Sequence, residues 1–409
     1  MSRKTVTCFK RITAVLSSVF LASAAFAGAG LIANASATSI TRISGNTRYE
    51  TMETVSQTAF PSTTSRVAVV ASGSSFPDAL AASSLAGHLN APILLTDPKT
   101  LSNATINELN RLDANTIYII GGKNAVSSNT ENEIRTSRPS ATITRLAGST
   151  RFDTAYQIYN ELTKLGVESK TAIISTGANF ADALSVSPYS YMQSAPFFLS
   201  SQSGLDEESL TALKDFQSAI IVGGQNAVPP SVEQQLRSIG VATSRIQGAT
   251  RYETSLEISK FTLNNLSINP SSVVYATGAN FPDALSGSAL AGINKTVLLL
   301  AQNESSPTVG ASSILPDVES VYVLGGQNAI GPATFNAISS SFGLSDREYV
   351  PQPTPTPQPK PNDPVYGTHK AGEFCKKSDL NKTDHDTRNG KLIVCKVANG
   401  DKQPRWHYV

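Results

Sequence analysis

"TGANFADALS" spans Thr176–Ser185, "TGANFPDALS" spans Thr277–Ser286, and "SGSSFPDALA" spans Ser72–Ala81. Each stretch ends a run of small and β-branched apolar residues, turns at a glycine or serine, and opens a helical pattern at Phe-x-Asp-Ala-Leu. In the second copy, Ala172-Ile173-Ile174-Ser175-Thr176 is the strand, Gly177 the turn and Phe180-Ala181-Asp182-Ala183-Leu184 the first helical turn. Pro77 and Pro282 suit that first turn, where a missing N–H leaves no bond unmade. Asp78, Asp182 and Asp283 then fall near the positive end of a helix dipole. Such an acid is accounted for by the helix start alone, or it is a carboxylate presented at the C-terminal edge of a sheet, where open α/β folds bind ligands.

The surroundings repeat as well. "RISGNTRYET" (Arg42–Thr51), "RLAGSTRFDT" (Arg145–Thr154) and "RIQGATRYET" (Arg245–Thr254) precede the three stretches, and "IIGGKNAV" (Ile119–Val126), "IVGGQNAV" (Ile221–Val228) and "VLGGQNAI" (Val323–Ile330) follow them. Three landmarks in one order at one period define an internal repeat of near-domain size, with units at 40–142, 143–242 and 243–342. Within the first unit "RVAVVAS", "APILLT" and "TIYII" read as strands, and "NATINELNRL" as a helix between them. Continuous apolar strands alternating with helices predict an α/β fold with a mostly parallel sheet covered on both faces, three times over.

Thr47-x-x-Glu50, Thr150-x-x-Asp153 and Thr250-x-x-Glu253 read as capping boxes, the middle one with a shorter acid. They do not explain Arg48, Arg151 and Arg251, cations set in a first helical turn where the dipole disfavours them. Two readings stand open. Each arginine pairs with an acid of a neighbouring unit, such as Asp78, Asp182 or Asp283, or it binds an anion beside the helix N-terminus. The GG(K/Q)NA segments are neither a dinucleotide loop nor a P-loop. They predict a tight turn at Gly121-Gly122 and its copies, with Asn124, Asn226 and Asn328 in left-handed or self-bonded geometry. The only histidine in the repeats is His88, whose counterparts are Met192 and Ile293; no triad, metal cluster or cysteine nucleophile recurs, so the repeats are expected to be non-catalytic and free of cofactor and metal.

Residues 1–37 read as a secretory signal: four basic residues and no acid, an apolar stretch from Ile12 to about Ile32, and Ala35-Ser36-Ala37 as a cleavage site, with a cut after Ala27 or a retained anchor as alternatives. No later apolar run is long enough to span a bilayer. Residues 38–365 carry a net charge of −6, which argues against nucleic acid as a ligand. A proline-rich linker at 349–365 contains "PQPTPTPQPKPNDP", an extended spacer of roughly 40 Å if polyproline II. The last 44 residues, 366–409, make too small a core to stand unaided. Cys375 and Cys395 are expected to form a disulfide staple there, because an exported chain meets an oxidising compartment. A Cys2His2 zinc site drawing on His369, His385 and His407 matches no standard spacing.

The Arg-x-x-Gly-x-x-Arg-Tyr-Glu-Thr opening, "GANFPDALS", "APILLT" and "IIGGKNAV" together resemble the cell wall binding repeat 2 family, which often occurs in three tandem copies. The resemblance covers nearly all of residues 40–342. It implies three small α/β modules closed into a pseudo-threefold triangle, in a protein secreted to the surface of a Gram-positive bacterium and held non-covalently to its wall. The implied ligand is an anionic wall polymer bound near the module junctions, with Arg48, Arg151, Arg251, Asp78, Asp182, Asp283, Asn124, Asn226 and Asn328 as candidate contacts. The "PILL" stretch is intact only at Pro92–Leu95; its copies read Pro196-Phe197-Phe198-Leu199 and Val297-Leu298-Leu299-Leu300, so the junctions need not be equivalent if that stretch touches ligand. The expected role is an anchor that displays the small C-terminal module, whose partner the sequence does not name. A secreted wall-modifying enzyme of the amidase kind, or an adhesin acting through the tail, is the alternative.

Overall fold

The computed structural model describes residues 37, 39–62, 65–344, 369–376, 379–386, 391–397 and 403–408. The signal segment, apart from Ala37, and the proline-rich linker lie outside the described residues. The chain enters on strand β1 (Ser39–Ile43), which pairs with none of the strands that directly follow it. After helix α1 (Arg48–Ala59) come β2 (Val67–Ser72), β3 (Ile93–Thr96), β4 (Thr116–Ile120) and β5 (Thr142–Leu146), which form one parallel sheet in the order β3-β2-β4-β5. The second sheet repeats that order with β6 (Thr171–Thr176), β7 (Phe197–Ser200), β8 (Ser218–Val222) and β9 (Ala242–Ile246). The third comprises β10 (Ser272–Thr277), β11 (Leu298–Ala301) and β12 (Ser320–Leu324), and its fourth strand is β1.

The sheets are therefore offset from the sequence repeats by one strand. The strand that opens each repeat is the edge of the preceding repeat's sheet, and the first repeat's strand closes the third sheet. Leu146 stands opposite Ile120, Ile246 opposite Val222 and Ile43 opposite Leu324 in equivalent parallel registers. This cyclic exchange closes three modules into a ring with pseudo-threefold symmetry.

The strands are apolar throughout because both faces are covered, as parallel sheets require. The "PILL" stretch and its copies lie in this interior: all four residues of β3, β7 and β11 are buried. Their differences therefore alter the shape of the core. The helices begin where the sequence supplies caps. Ser102 accepts from the Thr105 amide at the start of α3 (Asn103–Arg111), and Ser127 accepts from the Thr130 amide at α4 (Ser128–Ser137). The second repeat has α7 (Glu207–Leu213) in place of α3, and the third a 3-10 run at Pro307–Ile314.

Around the axis stand α2 (Ala82–His88), α6 (Ala181–Gln193) and α10 (Pro282–Ile293), the helices opened by the three copies of the ten-residue stretch. In the first repeat Asp78 and a 3-10 turn at Ala79–Ala81 precede α2. Phe76, Phe180 and Phe281 meet one another there, with ring centroids 5.4, 6.0 and 6.2 Å apart. The aromatic residue of the repeated motif thus marks the threefold axis.

The C-terminal module is a three-stranded antiparallel sheet of β13 (Thr383–His385), β14 (Leu392–Lys396) and β15 (Arg405–Tyr408). A disulfide joins Cys375 to Cys395, with Cα atoms 6.0 Å apart, beside a core of Ile393 and Trp406. His369 stacks on Trp406 at 4.5 Å and its Nδ1 lies 2.6 Å from Asp384 Oδ2. Closing a loop of this length should stabilise the module by about 3 kcal/mol. Reduction is expected to broaden the amide spectrum of residues 369–408 while the melting temperature of the repeats, which contain no cysteine, stays unchanged. A module spectrum insensitive to reductant would refute that role.

Candidate functional site

Three recurrent pieces converge at each junction of the ring. The first is a helix start. Thr47, Thr150 and Thr250 accept from the amides of Glu50, Asp153 and Glu253 at 3.2, 3.3 and 3.2 Å. Only the shorter Asp153 completes a reciprocal box, accepting from the Thr150 amide at 3.0 Å. The longer Glu50 and Glu253 reach one residue further back, to the amides of Asn46 and Ala249.

On that first turn each arginine finds a main-chain acceptor. Nη1 of Arg48 donates to the Gly73 carbonyl at 2.6 Å, Arg151 to Gly177 at 2.5 Å and Arg251 to Gly278 at 2.7 Å. These carbonyls end β2, β6 and β10, so the cation set against its own helix dipole is held by the carboxyl end of a strand. Among the described residues none of the three lies within ion-pair distance of a carboxylate. The Arg251 guanidinium also sits over the Phe180 ring, 5.6 Å from its centroid.

The second piece is the turn after β4, β8 and β12. Its left-handed residue is the first glycine, with φ of +99° at Gly121, +104° at Gly223 and +91° at Gly325. Of the two geometries expected for Asn124, Asn226 and Asn328 the left-handed one is not adopted; the glycine absorbs the reversal and leaves the asparagines exposed. The strand exchange brings Arg42, Arg145 and Arg245 here. They donate to the carbonyls of Gly325, Gly121 and Gly223 at 2.8, 2.7 and 2.8 Å. Arg145 and Arg245 also pair with Glu131 and Glu233 at 2.8 and 2.7 Å, while Arg42 lies over Phe335. These second arginines are structural clamps that residue type alone does not distinguish from the first.

The third piece is the aspartate. A side chain at Gly121, Gly223 or Gly325 would collide with Asp78, Asp182 or Asp283 respectively. Each carboxylate is thus pressed on the turn of its own repeat, part-buried and, among the described residues, without a side-chain hydrogen bond. It faces the arginine of the next repeat. A cleft of about 480 Å³ is lined by Asp78, Asn124 and Arg151, and one of about 560 Å³ by Asp182, Asn226 and Arg251. At the ring-closing junction Asp283 faces Arg48. Six of the nine candidate residues thus line two clefts as trios, and at the third junction the Asp283 and Arg48 pair recurs.

Burial pushes the Asp283 carboxyl up to about 6, with the Arg48 charge opposing the shift. Asp182 is raised for the same reason, opposed by Arg251. A carboxyl held more protonated in the folded than the unfolded state adds stability as pH falls from about 6 toward about 4, and loses it as pH rises through that window. Asp283→Asn should therefore stabilise the ring above pH 7 by about 1–2 kcal/mol, after discounting for partial exposure, and change little at pH 4. Thermal melts at the two pH values check this. A loss above pH 7 that is absent at pH 4 would mean that the carboxylate charge supports the fold.

The model of the family described as cell wall binding domain 2 matches residues 42–131, 145–233 and 245–335. N-acetylmuramoyl-L-alanine amidase LytC of Bacillus subtilis is 32% identical over 330 residues, 80% of this chain and 62% of that protein. The amidase enhancer of the same organism is 30% identical over 308 residues, 75% of this chain and 41% of that protein. The chain thus spans less than two thirds of either relative. Among solved structures, Cwp8 from Clostridium difficile is similar with a TM-score of 0.67 and 26% identity, over 75% of this chain and 52% of that one. Cwp6 from the same organism shares the fold at a TM-score of 0.67 and 24% identity, over 75% of this chain and 48% of that one.

Proposed function

The chain belongs to the cell wall binding domain 2 family, and on that premise we propose that it is a non-catalytic surface anchor whose junction clefts hold an anionic wall polymer. One observation carries the reading: Arg, Asp and Asn from three separate motifs of two successive repeats line one cleft. The guanidinium spends one donor on a strand-end carbonyl and keeps others for an anion. The exposed asparagine offers both donor and acceptor, and the carboxylate selects for a ligand that also carries hydrogen-bond donors. Such a set binds; with one carboxylate per cleft it does not assemble a paired acid and base. In this reading the protein reaches the wall by export through the signal at residues 1–37, with the linker at 349–365 as the spacer before the disulfide module. No helix among the described residues is long and apolar enough to cross a membrane.

Three weak clefts on one rigid ring engage a single polymer with avidity. The triple variant Arg48→Gln, Arg151→Gln, Arg251→Gln should remain folded, losing about 1 kcal/mol per lost carbonyl bond, and should lose binding to purified walls by at least tenfold. Wild-type binding should weaken as salt rises, because the exposed part of each contact is screened. Walls stripped of their anionic polymer should bind neither protein. Undiminished, salt-independent binding by the triple variant would end the proposal.

A further inference from the structure

The clefts at the first two junctions share their Arg, Asp and Asn, and among the lining positions that differ between them only one differs in charge. The GG(K/Q)NA turn places Lys123 in the cleft with Asp78 and Arg151, and Gln225 in the cleft with Asp182 and Arg251. The third copy has Gln327. Resting on the reading of the clefts as anion sites, we infer that Lys123 makes the junction of repeats 1 and 2 the leading site, so that the ring binds its polymer in a fixed order and not by three interchangeable contacts.

The charges decide the ranking. In the second cleft one guanidinium faces one carboxylate, and the two formal charges cancel. The ring-closing junction likewise sets Arg48 against Asp283. In the first cleft the ammonium of Lys123 is added to that balance and leaves it net positive. Room does not offset the difference, since the volumes are about 480 and 560 Å³ and the smaller cleft holds the extra cation.

The arginines are also held differently. Arg251 is braced by the Phe180 ring, whereas Arg48 is exposed, so its field is the most screened by solvent. Lys123 is itself exposed and, among the described residues, lies within ion-pair distance of no carboxylate, so its charge is available to a ligand. Its turn is rigid because Gly121 takes the left-handed residue and the Gly122 carbonyl accepts from the amides of Ala125 and Val126 at 2.9 and 3.0 Å. A mobile lysine head on a fixed turn suits a phosphate or carboxylate whose spacing along a chain varies.

The test uses full-length protein at low ionic strength and inorganic pyrophosphate, small enough to occupy one cleft and so free of avidity. The side-chain amides of Asn124 and Asn226 report the two clefts by nuclear magnetic resonance. In the wild type Asn124 should reach half of its shift at roughly threefold lower pyrophosphate than Asn226, the effect of one added exposed charge. The swap Lys123→Gln with Gln225→Lys should reverse that order without moving the melting temperature, since both positions are exposed. Shifts in both clefts whose order ignores the lysine would overturn the ranking and leave the cleft reading intact. No shift at either asparagine in the wild type would overturn both.

Discussion

Deleting residues 39–43 should unfold the third sheet, at the far end of the chain, and spare the first. β1 is the edge strand on β12, paired from Ser39 opposite Ser320 to Ile43 opposite Leu324. Without it β12 presents an unpaired edge of amides and carbonyls, a template for aggregation. The clamp from Arg42 to the Gly325 carbonyl goes with it, so the turn that bears Asn328 loses its anchor. Removing five ordered residues from a buried edge, including Ile43 at 2% exposure, should cost several kcal/mol, enough to unfold a domain of ordinary stability. Hydrogen exchange locates the damage: amides of Val321–Leu324 should lose protection while those of Ala68–Ala71 keep it. Moving the segment to follow residue 344 should restore protection, because the Ala37 amide already meets the Phe342 carbonyl and the ends are close. Protection lost first in β2 would show that sequence order, and not the strand exchange, defines the modules.

Gly87→Val should separate the first two repeats. Gly87, Tyr191 and Gly292 occupy the same position in the three central helices, nine residues after the aspartate. Only one side chain fits there. A Cβ at Gly87 would lie 1.9 Å from the Tyr191 carbonyl oxygen, and one at Gly292 would lie 2.3 Å from the Tyr191 ring. Tyr191 fills the space left by both glycines, and its hydroxyl donates to the Ala91 carbonyl at 3.2 Å. A backbone atom cannot rotate away as a side chain can, so α2 and α6 must move apart, an overpacking of about 3 kcal/mol or more. Tyr191→Ala fails oppositely, leaving a cavity at the axis and an unpaired carbonyl for about 3–5 kcal/mol. Tyr191→Gly alone should be no better, since three glycines leave the centre empty. A full-strength thermal transition in Gly87→Val would mean that the helices are not seated at this distance.

Both predictions concern features that the repeats conceal. Alignment of the copies treats Gly87, Tyr191 and Gly292 as a variable column, and nothing in the column says that one residue serves all three. The phenylalanines at 76, 180 and 281 are repeated in full view, yet only their mutual contact shows that the repeats face one axis. The arginine question had two answers in the sequence, an acid or an anion. The structure supplies a glycine carbonyl, an acceptor that every residue owns and that no side-chain pattern can announce.

What the sequence determined by itself was what local rules encode. Strands, helix starts, the glycine turn and the threefold period are legible because apolar periodicity, capping and turn geometry depend on neighbours within a few positions. The pairing of Cys375 with Cys395 was legible because no other cysteine follows the apolar N-terminal stretch. Tertiary structure alone decided which strand completes which sheet, which aspartate faces which arginine, and that Tyr191 packs on both Gly87 and Gly292. Those are contacts between residues of different repeats, beyond the reach of local rules. A repeated sequence writes the same local code in every copy, so only closure of the ring can assign one copy's edge to another's sheet.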